Sequence, residues 1–127
     1  MSETFKLSGD CSSKPQQGNP SGQPNTVIPF SETLGLGYSL VTGFTLDSDA
    51  AQVVNLGTLT GVNVLVVKAI GGKVRVRITS TDGTNAEIPC DPILILMSRD
   101  VDITAIDVTR TPATQTQVLI FMGQKDA

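Results

Sequence analysis

The side chains of this chain that could do chemistry are a few aspartates, two cysteines and a short basic row. Asp100, Asp102 and Asp107 form the densest group of carboxylates. Paired carboxylates can hydrolyse glycosidic bonds, but the two acids must face each other across a cleft. The alternative is a solvated strand edge whose charges deter pairing with other strands. We favour the charged edge, because no aromatic platform or second acid pair accompanies these residues.

The remaining catalytic chemistry is restricted by composition. Histidine, the commonest general base and metal ligand, is absent from the 127 residues. Two isolated cysteines, Cys11 and Cys90, do not make a zinc site. The first residues lack the apolar region of a signal peptide, so we expect synthesis in a cytoplasm and free thiols, with a disulfide as the alternative. We therefore predict no catalytic residue, no metal and no cofactor.

A basic row alternates with apolar residues along one predicted strand. Because side chains alternate in a strand, the two sets point to opposite faces. The basic face carries Lys73, Arg75 and Arg77, and the apolar face carries Val74, Val76 and Ile78. The basic row either contacts phosphate or the acidic groups of a neighbour, or lies exposed in solvent. A net charge of −3 and few aromatic residues argue against a nucleic-acid partner.

The elements that position this row are strands. Residues 62–80 are predicted to form two strands joined by a tight turn at Gly71-Gly72. The first of the two is apolar on both faces, which requires cover on both sides, by a second sheet and by another subunit. Asp82-Gly83 predicts the next hairpin turn, and bulges are expected at Gly43 and near Ala105.

Turn signals divide the chain from residue 27 to residue 127 into about eight strands. The strand at Pro92–Met97 is apolar on both faces and is expected to be fully buried. No segment reaches the roughly 18 apolar residues of a membrane helix, so no membrane partner is expected. We predict an all-β, single-domain β-sandwich or jelly roll of about eight antiparallel strands.

Residues 1–26 are predicted to be an extended N-terminal arm in front of the β-domain at 27–127. Residues 8–26 hold three prolines and little apolar surface to bury, so the segment is either a flexible tail or an arm that orders on a neighbour. Phe5 and Leu7 would anchor such an arm on its partner. Deleting residues 1–26 is then expected to leave the β-domain folded.

A set of apolar residues is too large for one sandwich to hide, so some of them should lie at a subunit interface. We therefore predict a homo-oligomer. The set comprises Leu65, Val67, Ile93, Ile95, Leu119 and Phe121.

Between Gly61 and Gly123, strands and turns follow one another in the segments KVRVRITSTDGTNAEIP, PILILM, DVDITAIDVT and TQVLIFMG. In this pattern the chain resembles small virion proteins of tailed bacteriophages. The resemblance covers about half of the chain and implies a trimeric jelly-roll decoration, or cement, protein. Such a protein binds the major capsid protein on the outer capsid surface and stabilises the shell. It implies no catalytic residue, and an N-terminal extension that reaches the capsid or a neighbouring protomer.

The alternative is a phage tail, fibre or baseplate module that binds a host glycan or protein. Sugar binding commonly uses exposed aromatic side chains, and aromatic residues make up only 4% of this chain. We therefore prefer the capsid surface of the virion as the expected location, after synthesis in the host cytoplasm.

Overall fold

The computed structural model describes residues 3–13 and 26–126, with the side chains of residues 3–9 and 28–126. Across these ranges all regular structure is β-strand, and no helix that could cross a membrane occurs. Nine strands are present in the described chain. They are β1 Glu3–Ser13, β2 Thr26–Leu46, β3 Gln52–Val53, β4 Val64–Ile70, β5 Val74–Ser80, β6 Asn85–Cys90, β7 Ile93–Met97, β8 Ile103–Arg110 and β9 Thr116–Lys125.

The strands form two antiparallel sheets. The five-stranded sheet has the order β1-β2-β9-β4-β7, and the four-stranded sheet has the order β3-β8-β5-β6. The prediction of an all-β sandwich is confirmed, with nine strands in place of about eight. The additional strand is β1, because the sequence analysis placed residues 3–13 in the arm.

The core lies between the two sheets and is almost entirely aliphatic. Alternation along each strand points one set of apolar side chains inward, as β5 shows: Val74, Val76 and Ile78 are buried. Arg75 and Arg77 of the same strand are exposed, so the predicted faces of β5 are confirmed. The largest fully buried side chains of the core include Leu65, Val67, Ile106, Ile120 and Met122.

The predicted hairpin at residues 62–80 is wrong. β4 pairs with β7 and β9, whereas β5 pairs with β6 and β8 in the other sheet. Gly71, with φ of 90°, therefore begins a connection between sheets rather than a turn between paired strands. A glycine turn is a local signal and does not decide which strands become neighbours. The turn at Asp82-Gly83 does join paired strands, β5 and β6, and that prediction is confirmed.

Only one of the two expected bulges is present. Thr79 faces Ala105 while Ser80 faces Ile103, so one extra residue of β8 is accommodated near Ala105 as predicted. Gly43 instead faces Leu119 in regular register, and the prediction there is wrong. A Cβ atom at residue 43 would lie 2.9 Å from Leu119 Cδ2, so the glycine provides space for that side chain. The irregularity of β2 lies between Leu36 and Tyr38.

The N-terminal segment is part of the five-stranded sheet. β1 pairs with the first half of β2, from Glu3 opposite Leu36 to Ser13 opposite Thr26. The second half of β2 continues along β9. Residues 14–25, which include all three prolines of the predicted arm, lie outside the described residues. The β1–β2 hairpin is thus joined to the sandwich through the second half of β2, and this geometry positions the surfaces described next.

Candidate functional site

An apolar row crosses the outer face of the five-stranded sheet. The register places Val41 beside Phe121, Phe121 beside Val66, and Val66 beside Ile95 on four successive strands. The residues next to them in the sequence, among them Leu65 and Met122, point into the core. We call the outward set, together with Leu119 and Ile93 in the next row, the apolar face.

Much of the apolar face is accessible to solvent in the single chain. The exposed fractions are 72% for Val41, 52% for Ile93, 41% for Ile95 and 40% for Leu119. The prediction that β7 is fully buried is therefore wrong. β7 is an edge strand whose inward residues, Leu94 and Leu96, pack on the core while its other face stays open. Exposed apolar surface of this kind marks a contact site in soluble proteins.

The β1–β2 hairpin covers part of the apolar face. The Phe5 ring stacks on Phe121 with 5.7 Å between ring centroids and 26° between planes. Arg99 Nη2 donates to Glu32 Oε2 at 3.1 Å and to the carbonyl of Thr33 at 3.0 Å. Phe5, predicted to anchor on another protein, therefore has a contact within its own chain. Val41 on β2 and Ile93 on β7, at the two sides of the face, stay exposed.

An open groove of about 500 Å³ lies between the hairpin and β7. Leu7 and Phe30 line it on the hairpin side, and Ile95 and Met97 line it on the β7 side. Arg99 and Glu32, which form an ion pair, also line the groove. The predicted anchor Leu7 is thus brought next to the apolar face. Sequence reasoning missed Phe30 and Met97, although each lies in a continuous run without polar residues, at 27–30 and at 93–97, that could have indicated them.

The three predicted basic residues separate into two environments. Lys73 and Arg75 line a pocket of about 370 Å³ on the outer face of the four-stranded sheet. Arg77 lies outside that pocket and binds Glu87 Oε2 at 2.9 Å. Arg75 binds the other oxygen of Glu87, at 2.8 Å. The hydrogen bond from Arg77, aided by that from Arg75, lowers the pKa of Glu87, so this carboxylate is ionised at neutral pH.

Of the three aspartates, Asp102 forms a hydrogen bond that supports the structure. Asp102 Oδ1 accepts a hydrogen bond from Asn63 Nδ2 at 2.8 Å, and Asn63 Oδ1 accepts one from the backbone amide of Lys125 at 2.9 Å. Asn63 is buried in an apolar stretch of chain, and these bonds satisfy its amide. Asp107 faces Arg77 across the strand pair β5–β8. The sequence analysis missed Asn63, which the apolar residues on both sides of it could have indicated.

No group of three or more potential metal-ligating side chains comes together within the described parts of the chain. Cys90 is a free thiol, fully buried, and its Sγ lies 3.4 Å from the carbonyl oxygen of Val67. Burial raises the pKa of this thiol, which disfavours the reactive thiolate. The side chain of Cys11 is outside the described residues.

Comparison of the chain with protein-family models, curated proteins and solved structures gives no match in any of the three. The two surface features that could bind a partner are the apolar face and the pocket lined by Lys73 and Arg75, which we call the basic pocket.

Proposed function

We propose that this protein is a non-enzymatic structural protein of a phage virion, which assembles as a homotrimer and decorates the outer capsid surface. Its partner would be the major capsid protein, and its effect would be to stabilise the shell. The observation that carries the proposal is the apolar face, where Val41 and Ile95 are exposed at opposite ends of one continuous row.

The apolar face supports self-association because burying it removes apolar surface from water. Each Å² of apolar area that is buried contributes about 25 cal/mol, and a valine or isoleucine side chain contributes about 1.5–3 kcal/mol when fully covered. A contact between one surface of a protomer and a different surface of the next can close into a ring. A trimer would then present three identical capsid contacts on one rigid body, which raises avidity without strengthening any single contact.

The resemblance to phage virion proteins supports the assignment to a capsid. The contacts of the titratable groups agree with a structural role: Asp102 holds Asn63, and Asp49 holds Arg110 at 2.9 Å. The backbone amide of Ala113 and the Arg110 guanidinium both donate to Asp49 and lower the pKa of this carboxyl. These acids organise loops at the ends of strands.

Two matched substitutions test the proposed assembly. Val41 and Val53 have nearly equal exposed fractions, 72% and 71%, but Val53 lies on β3 of the other sheet. Light scattering of the unmodified protein at micromolar concentration should give three times the chain mass of 13.3 kDa. Val41→Glu should reduce the mass toward that of one chain, because it puts a charge into an apolar contact. Val53→Glu should remain trimeric.

Co-sedimentation with capsids that lack the protein tests the partner. The trimer should sediment with the capsids, and the Val41→Glu variant should bind them more weakly because it loses avidity. A monomeric mass for the unmodified protein would refute the trimer. A trimer that stays in the supernatant in the presence of capsids, but binds host cells, would favour the tail or fibre alternative.

A further inference from the structure

The basic pocket combines positive charge with apolar walls. It lies where β5, β6 and β8 run side by side, with Arg75 between Pro89 on one neighbouring strand and Thr109 on the other. Pro112, in the loop after β8, forms a further wall. The pocket is about 370 Å³ in volume, enough for one or two side chains rather than for a large ligand.

Lys73 and Arg75 leave positive charge available at this pocket. Arg75 uses Nη1 for Glu87 Oε1, but Glu87 also pairs with Arg77, so Arg75 shares its ion-pair partner. Lys73 forms no ion pair with any described residue. Arg110, which also lines the pocket, is 11% exposed and is held by Asp49. Lys73 and Arg75 are therefore the groups that could receive an anion.

The rim of the pocket is fixed in place by the backbone. The amide and the hydroxyl of Thr111 both donate to the carbonyl oxygen of Lys73, at 3.3 Å and 3.2 Å. These bonds join the start of β5 to the loop that carries Pro112. A site whose rim is already ordered loses less conformational entropy when it binds a ligand.

The walls select among anions. Phosphate sites in proteins commonly use backbone N–H groups as donors, and a proline has no N–H to offer. Pro89 and Pro112 instead give apolar contact, which suits the methylene groups of a glutamate or an apolar residue beside it. The chain as a whole has a net charge of −3, which does not favour a polyanion such as nucleic acid.

We propose that this pocket docks an acidic peptide segment of the partner protein, with a carboxylate at Lys73 and Arg75 and an apolar neighbour against Pro89 and Pro112. The inference rests on the proposed function, since it assigns the contact by which the trimer would attach. Attachment then uses the four-stranded sheet, while self-association uses the five-stranded sheet on the opposite side of the sandwich.

NMR titration of the isotope-labelled full chain tests the pocket. The probe is a capped five-residue peptide of alternating leucine and glutamate, and the control is the same peptide with glutamine in place of glutamate. The glutamate peptide should shift the amides of Lys73, Arg75, Thr109 and Thr111, and the glutamine peptide should not. Inorganic phosphate at equal concentration should bind more weakly than the glutamate peptide.

Arg77→Gln is the matched control for Arg75→Gln. Both arginines are exposed on the same face of β5 and both bind Glu87, but only Arg75 lines the pocket. Arg75→Gln should weaken peptide binding by about tenfold, as expected for the loss of a hydrogen bond between charged groups, and Arg77→Gln by less than about threefold. The amide spectra report whether each variant is folded.

Several results would contradict the proposal that the basic pocket binds an acidic peptide. Equal weakening by the two substitutions would indicate diffuse attraction between charges, and equal binding of the glutamine peptide would remove the role of the carboxylate. Shifts outside the pocket, or stronger binding of phosphate or of an anionic lipid vesicle, would assign a different ligand. Light scattering on the same samples separates this proposal from the proposed trimer. A trimer that binds no acidic peptide would refute only the peptide-binding role of the pocket. A monomer that binds the peptide would refute only the trimer.

Discussion

At the scale of single residues, β5 alternates between buried residues that stabilise the fold and exposed residues that are free to make contacts. Val76 has no exposed surface and lies between Ile88 and Val108 on the neighbouring strands. Arg75 and Arg77 point away from the core and retain half or more of their side-chain exposure. Substitutions at adjacent positions of β5 are therefore expected to change the free energy of unfolding by very different amounts.

Val76→Asp is expected to unfold the domain. It would bury a carboxylate with no hydrogen-bond partner, at a cost of several kcal/mol, in a domain whose total stability is about 5–15 kcal/mol. Arg75→Ala and Arg77→Ala should each change the free energy of unfolding by no more than about 0.5 kcal/mol. Urea denaturation followed by circular dichroism measures all three. A steep loss of stability in the arginine variants, with Val76→Asp tolerated, would mean that the two faces of β5 are reversed.

At the scale of elements, the β1–β2 hairpin is held to the sandwich by a few contacts along one of its faces. Phe5 stacks on Phe121, and Leu36 lies over Gly123, where an added Cβ would come within 2.9 Å of Leu36 Cδ1. Half of β2 pairs with β1 alone. The hairpin should therefore open more readily than the strands around the core.

Phe5→Ala is expected to loosen β1 without unfolding the sandwich. An aromatic pair contributes about 0.5–1.5 kcal/mol beyond its buried area, so amide exchange in β1 should accelerate by about two- to tenfold or more. Hydrogen exchange read by mass spectrometry should show this change in β1 and none in β9. Lys6→Ala, at the adjacent exposed position on the other face of the strand, is the control. Equal acceleration in the two variants would show that the stack does not hold the hairpin.

This geometry also changes the expectation for removal of residues 1–26. The sequence predicted that the deletion leaves an intact domain. In the structure the deletion removes an edge strand, leaves the first half of β2 without its partner and uncovers Phe121. A truncated chain would therefore lose cover over part of the apolar face.

At the scale of the whole molecule, the two faces of the sandwich differ in chemistry and should respond differently to salt. The outer face of the five-stranded sheet is apolar, and the outer face of the four-stranded sheet carries Lys73, Arg75 and Arg77. At physiological ionic strength, salt screens the interaction between exposed charges that are more than about 8–10 Å apart, and this distance shortens as salt is added. Salt does not weaken apolar contacts. Salt concentration can thus distinguish self-association of the protein from its attachment to the capsid.

The trimer mass measured by light scattering should stay constant as NaCl is raised from about 50 mM to about 1 M, while capsid attachment should weaken over the same range. Both quantities can be measured on the same preparation by light scattering and co-sedimentation. Dissociation of the trimer by salt would mean that polar contacts hold it. Attachment that is insensitive to salt would remove the basic face from the capsid contact.

The sequence by itself determined the local features of this protein. Alternation predicted the faces of β5, Asp82-Gly83 predicted the β5–β6 hairpin, and the shift of apolar parity in β8 predicted the bulge near Ala105. Each of these depends on the backbone conformation or side-chain direction of a few neighbouring residues, which the residue types themselves restrict.

Only the tertiary structure decided how the strands are combined. Gly71 begins a crossing between sheets, although its sequence fits a hairpin equally well, and β7 is an open edge rather than a buried strand. The stacking of Phe5 on its own chain and the grouping of Lys73 with Arg75, Pro89 and Pro112 join residues far apart in the sequence. Strand order depends on which apolar faces cover one another after the whole chain has folded, and no local pattern contains that information.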